Sequence, residues 1–487
     1  MESGDLPCNF NNPDMQTFPI YCGGEFITTP TTLEVVNPFT QKAFAQTFLA
    51  GDHEFESAVQ ASQSAFEQSK TLSGYDRSAI LTDIARNLAE VESEMAEIIC
   101  MEAGKPLRYA LSEVRRAVQT FMVASEEAKR LPREYLSLDW TRENQGREGL
   151  VKYFPVGPVA GISPFNFPLN LAVHKIAPAI ATGCPIILKP ATATPLSTLR
   201  LAQIIDKTHL PKGSVSILPM NRHTGNKLVT DSRIKLLTFT GSPEVGWRMK
   251  EMAGKKKVVL ELGGNAGTIV ASSANLDLAV SRSLVGAFAY SGQVCIHTQR
   301  IFVHKSLFDE FTQGFVAKAK ALRFGDPLLP ETEISVMIDL ANAQRVEQWI
   351  AEALAAGATI ACGGKREGLY VHPTVILNAK PGMKVLDEEV FGPVVAIQAF
   401  ENFAEAVSQV NDSRFGLQAS VFTNQADELQ YAFNALEVGG VIHNDSTIFR
   451  ADHMPYGGVK DSGIGREGVK YAMHDMLEPK ILVAKIL

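Results

Sequence analysis

From residue 150 onward, short apolar runs alternate with stretches of helical periodicity, and this alternation constrains the fold more than any other feature of the chain. The runs are Val159-Ala160-Gly161-Ile162, Pro185-Ile186-Ile187-Leu188, Ser214–Leu218, Lys235–Phe239 and Val258-Val259-Leu260. Helix-like segments at 168–182, 195–207 and 243–253 lie between them. A short run without polar alternation fits a strand buried on both faces. Strands of that kind separated by helices build a parallel sheet with helices on its faces. A second series begins at Gly267-Thr268-Ile269-Val270. It continues through a helix at 276–290, the strand Arg300–Val303, a helix at 306–321, and strands near 358–361, 394–399 and 419–423. Two α/β domains are therefore predicted. Upstream, residues 53–130 read as helices, with Ile80, Ile84 and Leu88 at near-helical spacing and Gly104-Lys105-Pro106 as punctuation. The terminal Lys480–Ala484 reads as a strand with no helix after it, an edge that needs a partner.

The chain has 487 residues, which is too many for one core and gives about three domains as a soft prior. A net charge of −7 argues against a nucleic-acid binder, which would carry a basic surplus. The longest apolar stretch, Leu169 to Leu188, contains His174, Lys175, Pro178 and Pro185, so no membrane association is expected. Met1 to Gln16 is polar and acidic, unlike a secretory signal. The six cysteines are scattered, without CxxC pairs or histidines at metal spacing. That pattern predicts a cytoplasmic protein with neither a disulfide framework nor a zinc site.

Cys295 closes the run Phe288-Ala289-Tyr290-Ser291-Gly292-Gln293-Val294-Cys295 and follows Glu261, in Leu260-Glu261-Leu262-Gly263-Gly264-Asn265, at a step of 34 residues. A free cysteine is often just a small buried hydrophobe. One flanked by small and polar residues, with a carboxylate at a fixed distance, points to a nucleophile with a base in reach. Asn166, in Pro164-Phe165-Asn166-Phe167-Pro168, precedes a predicted helix, where its amide can serve as an oxyanion donor or as a helix cap. Lys189-Pro190-Ala191-Thr192 follows a predicted strand, at the carboxyl end of a parallel sheet where nucleotides bind. The GxGxxG dinucleotide fingerprint is absent. Phe239-Thr240-Gly241-Ser242 precedes a helix instead, and Glu388-Glu389-Val390-Phe391-Gly392-Pro393 precedes a strand.

Together these runs resemble the aldehyde dehydrogenase superfamily, over roughly residues 15–485. The resemblance implies that Cys295 attacks an aldehyde, Asn166 stabilises the oxyanion and Glu261 activates water against the thioester. It sets Lys175 near the active site, as a proton relay or a buried salt bridge. The implied cofactor site comprises Pro164, Lys189, Thr192, Gly241, Ser242, Gly263, Glu389 and Phe391. Many NAD-specific members carry glutamate where this chain has Thr192. A neutral residue there, with Lys189 nearby and Arg222 as a further candidate charge, favours NADP while admitting NAD. The run Phe449–Gly458 resembles a substrate-mouth loop, which makes Arg450 and His453 candidate substrate residues. Arg450 would hold an anionic tail, or simply pair with Asp452 or Asp445. His453 and His297 have an equally good structural reading. No metal is implied.

The implied architecture is a Rossmann-like cofactor domain (1–128 and 150–262), an α/β catalytic domain (263–463) and a small β oligomerisation element (129–149 and 464–487). That element would pair two subunits into a homodimer or homotetramer. Two rival readings remain at this level. A CoA-acylating dehydrogenase typically lacks the glutamate found here at 261, and a crystallin-like structural protein would not need the chemistry to be intact.

Overall fold

The structure is a computed structural model that describes residues 15–485. Cys8 and most of the polar amino-terminal segment lie outside the described residues. Five of the predicted strands form the parallel centre of one sheet, in the spatial order Lys257–Glu261, Leu236–Thr240, Val159–Ile162, Ile186–Lys189, Val215–Ile217. All of Val159–Ile162 and Leu236–Thr240 is buried, as expected for strands covered by helices on both faces. Val159–Ile162 comes first in sequence, yet it pairs with Ile186–Lys189 on one side and with Leu236–Thr240 on the other. The chain therefore winds outward in both directions from this strand. The crevice at the carboxyl ends of Val159–Ile162 and Leu236–Thr240 is the topological switch point, where ligands bind in open α/β sheets.

The second sheet has parallel strands Thr374–Leu377, Val394–Phe400, Thr298–His304, Ala266–Val270, Gln418–Phe422 and Gly440–His443. Thr359–Cys362 adds to its edge in the antiparallel sense. The third sheet is antiparallel and joins Leu477–Lys485 to Arg147–Pro155 and Arg133–Ser137.

Two expected boundaries shift. Position 150 falls inside the strand Arg147–Pro155, so residues 150–155 belong to the small sheet. Past 463, the strand Gly463–Ile464 pairs with Lys257–Glu261, and the helix Val469–Asp475 packs on the helix Asn170–Thr182. That stretch therefore serves the first sheet rather than the third. Several elements carry too weak a pattern to be read in advance. The strands Ile20–Cys22 and Glu25–Ile27 extend the first sheet, and the helix Leu340–Ala355 flanks the second.

Two buried glutamates from the amino-terminal helices cap helices elsewhere in the chain. Glu102, in the helix Glu92–Ala103, accepts from Leu196 N (2.7 Å) and Ser197 N (3.1 Å) at the start of the helix Leu196–Asp206. Glu113, in the helix Leu107–Glu127, accepts from Leu169 N (3.0 Å) and Asn170 N (3.1 Å) at the start of Asn170–Thr182. Neither helix has a capping side chain of its own. The first turns would otherwise leave donors orphaned in the core.

Glu102→Leu should therefore destabilise the protein by about 3 kcal/mol, read as a fall in the denaturant midpoint. Burial pushes the Glu102 carboxyl up to about 7. Its contribution is thus fully present below the ordinary carboxylate range and declines as pH rises through 7. Glu102→Gln keeps an acceptor oxygen and should flatten that slope. An unchanged midpoint in Glu102→Leu would show that the helix does not depend on this cap.

Candidate active site

Cys295 lies between the helix Leu276–Phe288 and the strand Thr298–His304 of the second sheet. The turn that delivers it is left-handed at three successive residues, Tyr290 (φ 49°), Ser291 (φ 54°) and Gly292 (φ 68°). A side chain at 292 would bring a Cβ within 2.2 Å of Gly392 O, so glycine is required there. Left-handed backbone at Tyr290 and Ser291 is costly and persists only where the surroundings enforce it. Ser291 Oγ donates to Ser335 O (2.7 Å) and Tyr290 Oη to Ala103 O (2.8 Å), which pin the turn.

The half-buried Cys295 borders two cavities. The larger, about 640 Å³, opens at the switch point of the first sheet. Pro164, Asn166, Gly241 and Ser242 line it from the loops after Val159–Ile162 and Leu236–Thr240, and Glu261 and Gly263 from the end of Lys257–Glu261. Glu389 and Phe391 face them from the second sheet. The smaller, about 220 Å³, lies on the other side of Cys295 and includes Arg116, Phe167, Arg450 and Tyr456.

Burial pushes the Cys295 thiol up to about 12, and a hydrogen bond to Tyr456 (Sγ to Oη, 3.1 Å) opposes that rise. Glu261 is buried, and neither carboxylate oxygen has a hydrogen-bond partner among the described residues. Burial first, and the charge of Glu467 second, raise it well above the carboxylate range. A proton acceptor of that kind suits water activation near neutral pH. Asn166 Nδ2 donates one hydrogen to Gln293 O (3.0 Å), which leaves its second for another acceptor.

Glu389 Oε1 accepts from Gly264 N (3.0 Å), and burial pushes its carboxyl up to about 7. A Cβ at Gly263 would meet Glu389 Oε2 at 2.4 Å, so the glycine makes room for this carboxylate. Phe391, at φ 47°, sets its ring edge-on to Phe165 with centroids 5.8 Å apart. Ser242 precedes the helix Pro243–Met252 and its hydroxyl makes no cap, while a Cβ at Gly246 would lie 2.4 Å from Leu262. These features fit a dinucleotide. The cavity has a helix N-terminus with an uncommitted hydroxyl for a pyrophosphate oxygen, and a carboxylate held in place for ribose hydroxyls.

The remaining predicted residues sit elsewhere. Lys175 lines neither cavity. Its Nζ donates to Thr240 Oγ1 (2.7 Å) and Glu467 Oε1 (3.2 Å), so it is a buried salt bridge beneath the site. Lys189 and Thr192 lie outside the larger cavity's lining, at the end of Ile186–Lys189 and in the exposed turn that follows. The Lys189 stem rests against Gly225 in the helix Arg222–Thr230, whose first residue, Arg222, is exposed. Arg450 pairs with neither Asp452 nor Asp445. Its Nη2 donates to Glu467 Oε2 (2.8 Å), its guanidinium stacks 3.8 Å from the Tyr456 ring, and its buried Nε has no partner. Asp452 is held by Arg116 and His174, and Asp445 by Arg282. His453 is exposed and lines neither cavity, because the loop turns it outward while Tyr456 turns in. His297 is buried, and burial lowers it to about 4.

Sequence reasoning missed Tyr456, Arg116, Lys105, Glu113, and the trio Asn342, Arg345 and Trp349 on Leu340–Ala355 that lines the larger cavity. Tyr456 was within reach, as an aromatic beside Gly457-Gly458 in the same loop as Arg450. The others carry no local signal.

The sequence profile of the Aldehyde dehydrogenase family matches residues 26–482, and the chain belongs to that family. Among its relatives is the 3-sulfolactaldehyde dehydrogenase of Priestia aryabhattai, 41% identical over 97% of this chain and 99% of that one. The crystal structure of aldehyde dehydrogenase 21 from Physcomitrella patens, in complex with the reaction product succinate, superposes with a TM-score of 0.96. It is 44% identical over 97% of this chain and 99% of that one. The glyceraldehyde-3-phosphate dehydrogenase of Methanocaldococcus jannaschii, complexed with NADP, gives 0.89 and 37% over 93% and 99%. The chain is thus an NAD(P)-dependent aldehyde dehydrogenase, an oxidoreductase that converts an aldehyde to a carboxylic acid. Among the described residues, no helix is long and apolar enough to cross a membrane.

The Tyr456 hydroxyl, 3.1 Å from Cys295 Sγ, is placed to stabilise the Cys295 thiolate by a hydrogen bond. Tyr456→Phe should slow alkylation of Cys295 by iodoacetamide at pH 8 by about fivefold, the equivalent of one hydrogen bond of ~1 kcal/mol. An unchanged or faster rate would show that Tyr456 does not stabilise the thiolate.

Proposed function

We propose that the chain oxidises a short aldehyde bearing a terminal carboxylate or sulfonate, with NADP used at least as well as NAD. The observation that carries this reading is the position of Cys295 between a dinucleotide-sized cavity and a small cavity bordered by two guanidiniums. The smaller volume admits only a few carbon atoms beyond the aldehyde. Arg450 and Arg116 both border this cavity; the buried Nε of Arg450 has no hydrogen-bond partner among the described residues, and Arg116 retains 26% side-chain exposure. The relatives that act on 3-sulfolactaldehyde or release succinate handle small molecules of this type.

In this reading Cys295 Sγ bonds to the carbonyl carbon. The oxyanion accepts from the second Nδ2 hydrogen of Asn166 and from the backbone N–H of Cys295. Ser242 with its helix N-terminus, Gly241 and Glu389 hold the dinucleotide, and Pro164, Gly263 and Phe391 shape its cavity. Bound there, the nicotinamide supplies the hydride acceptor. The thioester left on Sγ is opened by a water whose proton passes to Glu261; the C–S bond breaks and the acid departs. A buried carboxylate that borders the larger cavity and accepts no hydrogen bond from the described residues supports hydrolysis rather than acyl transfer to CoA. Its retention with Cys295 and Asn166 supports catalysis rather than a structural role.

Lys189 and the neutral Thr192 support tolerance of a 2′-phosphate, with the exposed Arg222 nearby. The five described cysteines are free thiols, which suits a reducing cytoplasm. Among the described residues, the strand Leu477–Lys485 has one unpaired edge, with Ile481, Leu482 and Val483 exposed. A second copy of the chain is the partner that supports, giving a homodimer or a pair of dimers.

A panel run with NADP and with NAD tests the reading. Succinate semialdehyde and sulfoacetaldehyde should exceed butanal and propanal in kcat/KM by at least about tenfold, a lost charge-assisted contact being worth ~1.5–3 kcal/mol. Arg116→Gln and Arg450→Gln should each shrink that margin. The better of the two anionic substrates separates carboxylate from sulfonate. A wild-type preference for the neutral aldehydes would refute the anionic tail, and a strong preference for NAD would refute the reading of Thr192.

A further inference from the structure

Lys105 is fully buried, which is rare for a lysine, and none of the steps above uses it. It follows Gly104, the left-handed end of the helix Glu92–Ala103, and precedes Pro106, where the helix Leu107–Glu127 starts. Its Nζ donates to Glu113 Oε2, an ion pair with both side chains entirely buried. The ammonium also sits 3.7 Å from the centroid of Phe167 and 4.6 Å from that of Tyr290. A desolvated cation over an aromatic face is worth more than an exposed one.

Both rings belong to chemically active segments. Phe167 follows Asn166, and Phe167 N donates to Asn166 Oδ1 (3.1 Å). Tyr290 opens the left-handed turn that ends at Cys295, and its hydroxyl is anchored to Ala103 O, next to the Gly104–Lys105 corner. The other oxygen of Glu113 accepts from Leu169 N and Asn170 N, just after Asn166. One ion pair thus touches the Asn166 loop from the first sheet and the Cys295 turn from the second.

We infer that Lys105 is a positioning residue: its ammonium, neutralised by Glu113 and flanked by the edge-to-face pair Phe167 and Tyr290, fixes the Asn166 amide relative to Cys295 and so sets the geometry of the oxyanion site. Lys105 and Glu113 border the smaller cavity, but in this role they act through Phe167 and Tyr290 rather than on the reacting atoms. A small displacement of an oxyanion donor costs far more in rate than in binding. The inference rests on the assignment of Cys295 and Asn166 under the proposed function.

The test separates positioning from stability. Lys105→Met alone strands the buried Glu113 charge and can impair folding. The informative variant is Lys105→Met/Glu113→Gln, whose amide oxygen still caps Leu169 and Asn170 and which leaves no uncompensated charge. With succinate semialdehyde and NADP, its pre-steady-state burst of NADPH should slow by about tenfold or more, with aldehyde KM changed much less. Alkylation of Cys295 by iodoacetamide, which builds no oxyanion, should stay within about twofold of wild type. A wild-type burst rate in the double variant overturns the inference. So does a fall in alkylation as large as the fall in burst rate, since that reports general loosening. Failure of the underlying assignment is read separately, as a burst that survives Cys295→Ala.

Discussion

A buried carboxylate that accepts no hydrogen bond from the described residues is the constraint around which this site is organised. An ionised group in such a place costs several kcal/mol unless charges nearby offset it. Glu261 sits at the end of Lys257–Glu261, where Gly463 pairs with it across the strand Gly463–Ile464. The same excursion of the chain carries Gly457 against its carboxylate and Glu467 beneath it. Lys175 and Arg450 both bind Glu467 and hold it well below the usual carboxylate range, despite burial. With those cations committed to Glu467, Glu261 keeps a raised affinity for protons. Two neighbouring carboxylates pushed in opposite directions are a recurring way to assign one to structure and the other to proton transfer.

The chemistry also requires two sheets to meet at atomic precision. Asn166 comes from the loop after Val159–Ile162 and Glu261 from the end of Lys257–Glu261, both in the first sheet, and Cys295 comes from a turn leading into the second. Such a junction places Cys295 between the two cavities, which the proposed function assigns to cofactor and substrate, and it must be held rigidly. The left-handed non-glycine residues Tyr290 and Ser291 store strain, and their hydrogen bonds to Ala103 and Ser335 offset it. Phe391 repeats the pattern on the cofactor side.

Much of the first sheet was legible in the sequence, because parallel strands buried on both faces read as unbroken apolar runs such as Ile186-Ile187-Leu188. The switch point was not, since strand order is a tertiary property. The antiparallel edges Ile20–Cys22 and Gly463–Ile464 are too short to show a period. Motifs and the family resemblance led to Asn166, Gly241, Ser242, Glu261, Cys295 and Glu389 around the larger cavity. They failed for Arg450, where neighbouring acids in sequence were the natural partners and Glu467, seventeen residues on, is the actual one. They failed also for Lys105, whose partners Phe167 and Tyr290 are remote in sequence. Local pattern reports which groups are present, whereas burial and long-range pairing decide which of them are active.

The central claim is that Glu261 resolves a thioester formed on Cys295. Glu261→Gln keeps the shape of the side chain and removes its basicity. Mixing this variant with aldehyde and NADP, quenching in acid and weighing the peptide that contains Cys295 tests the claim directly. The account predicts a burst of NADPH stoichiometric with active sites, slow turnover thereafter, and an acyl adduct on Cys295. Wild-type steady turnover with an unmodified Cys295 would contradict it.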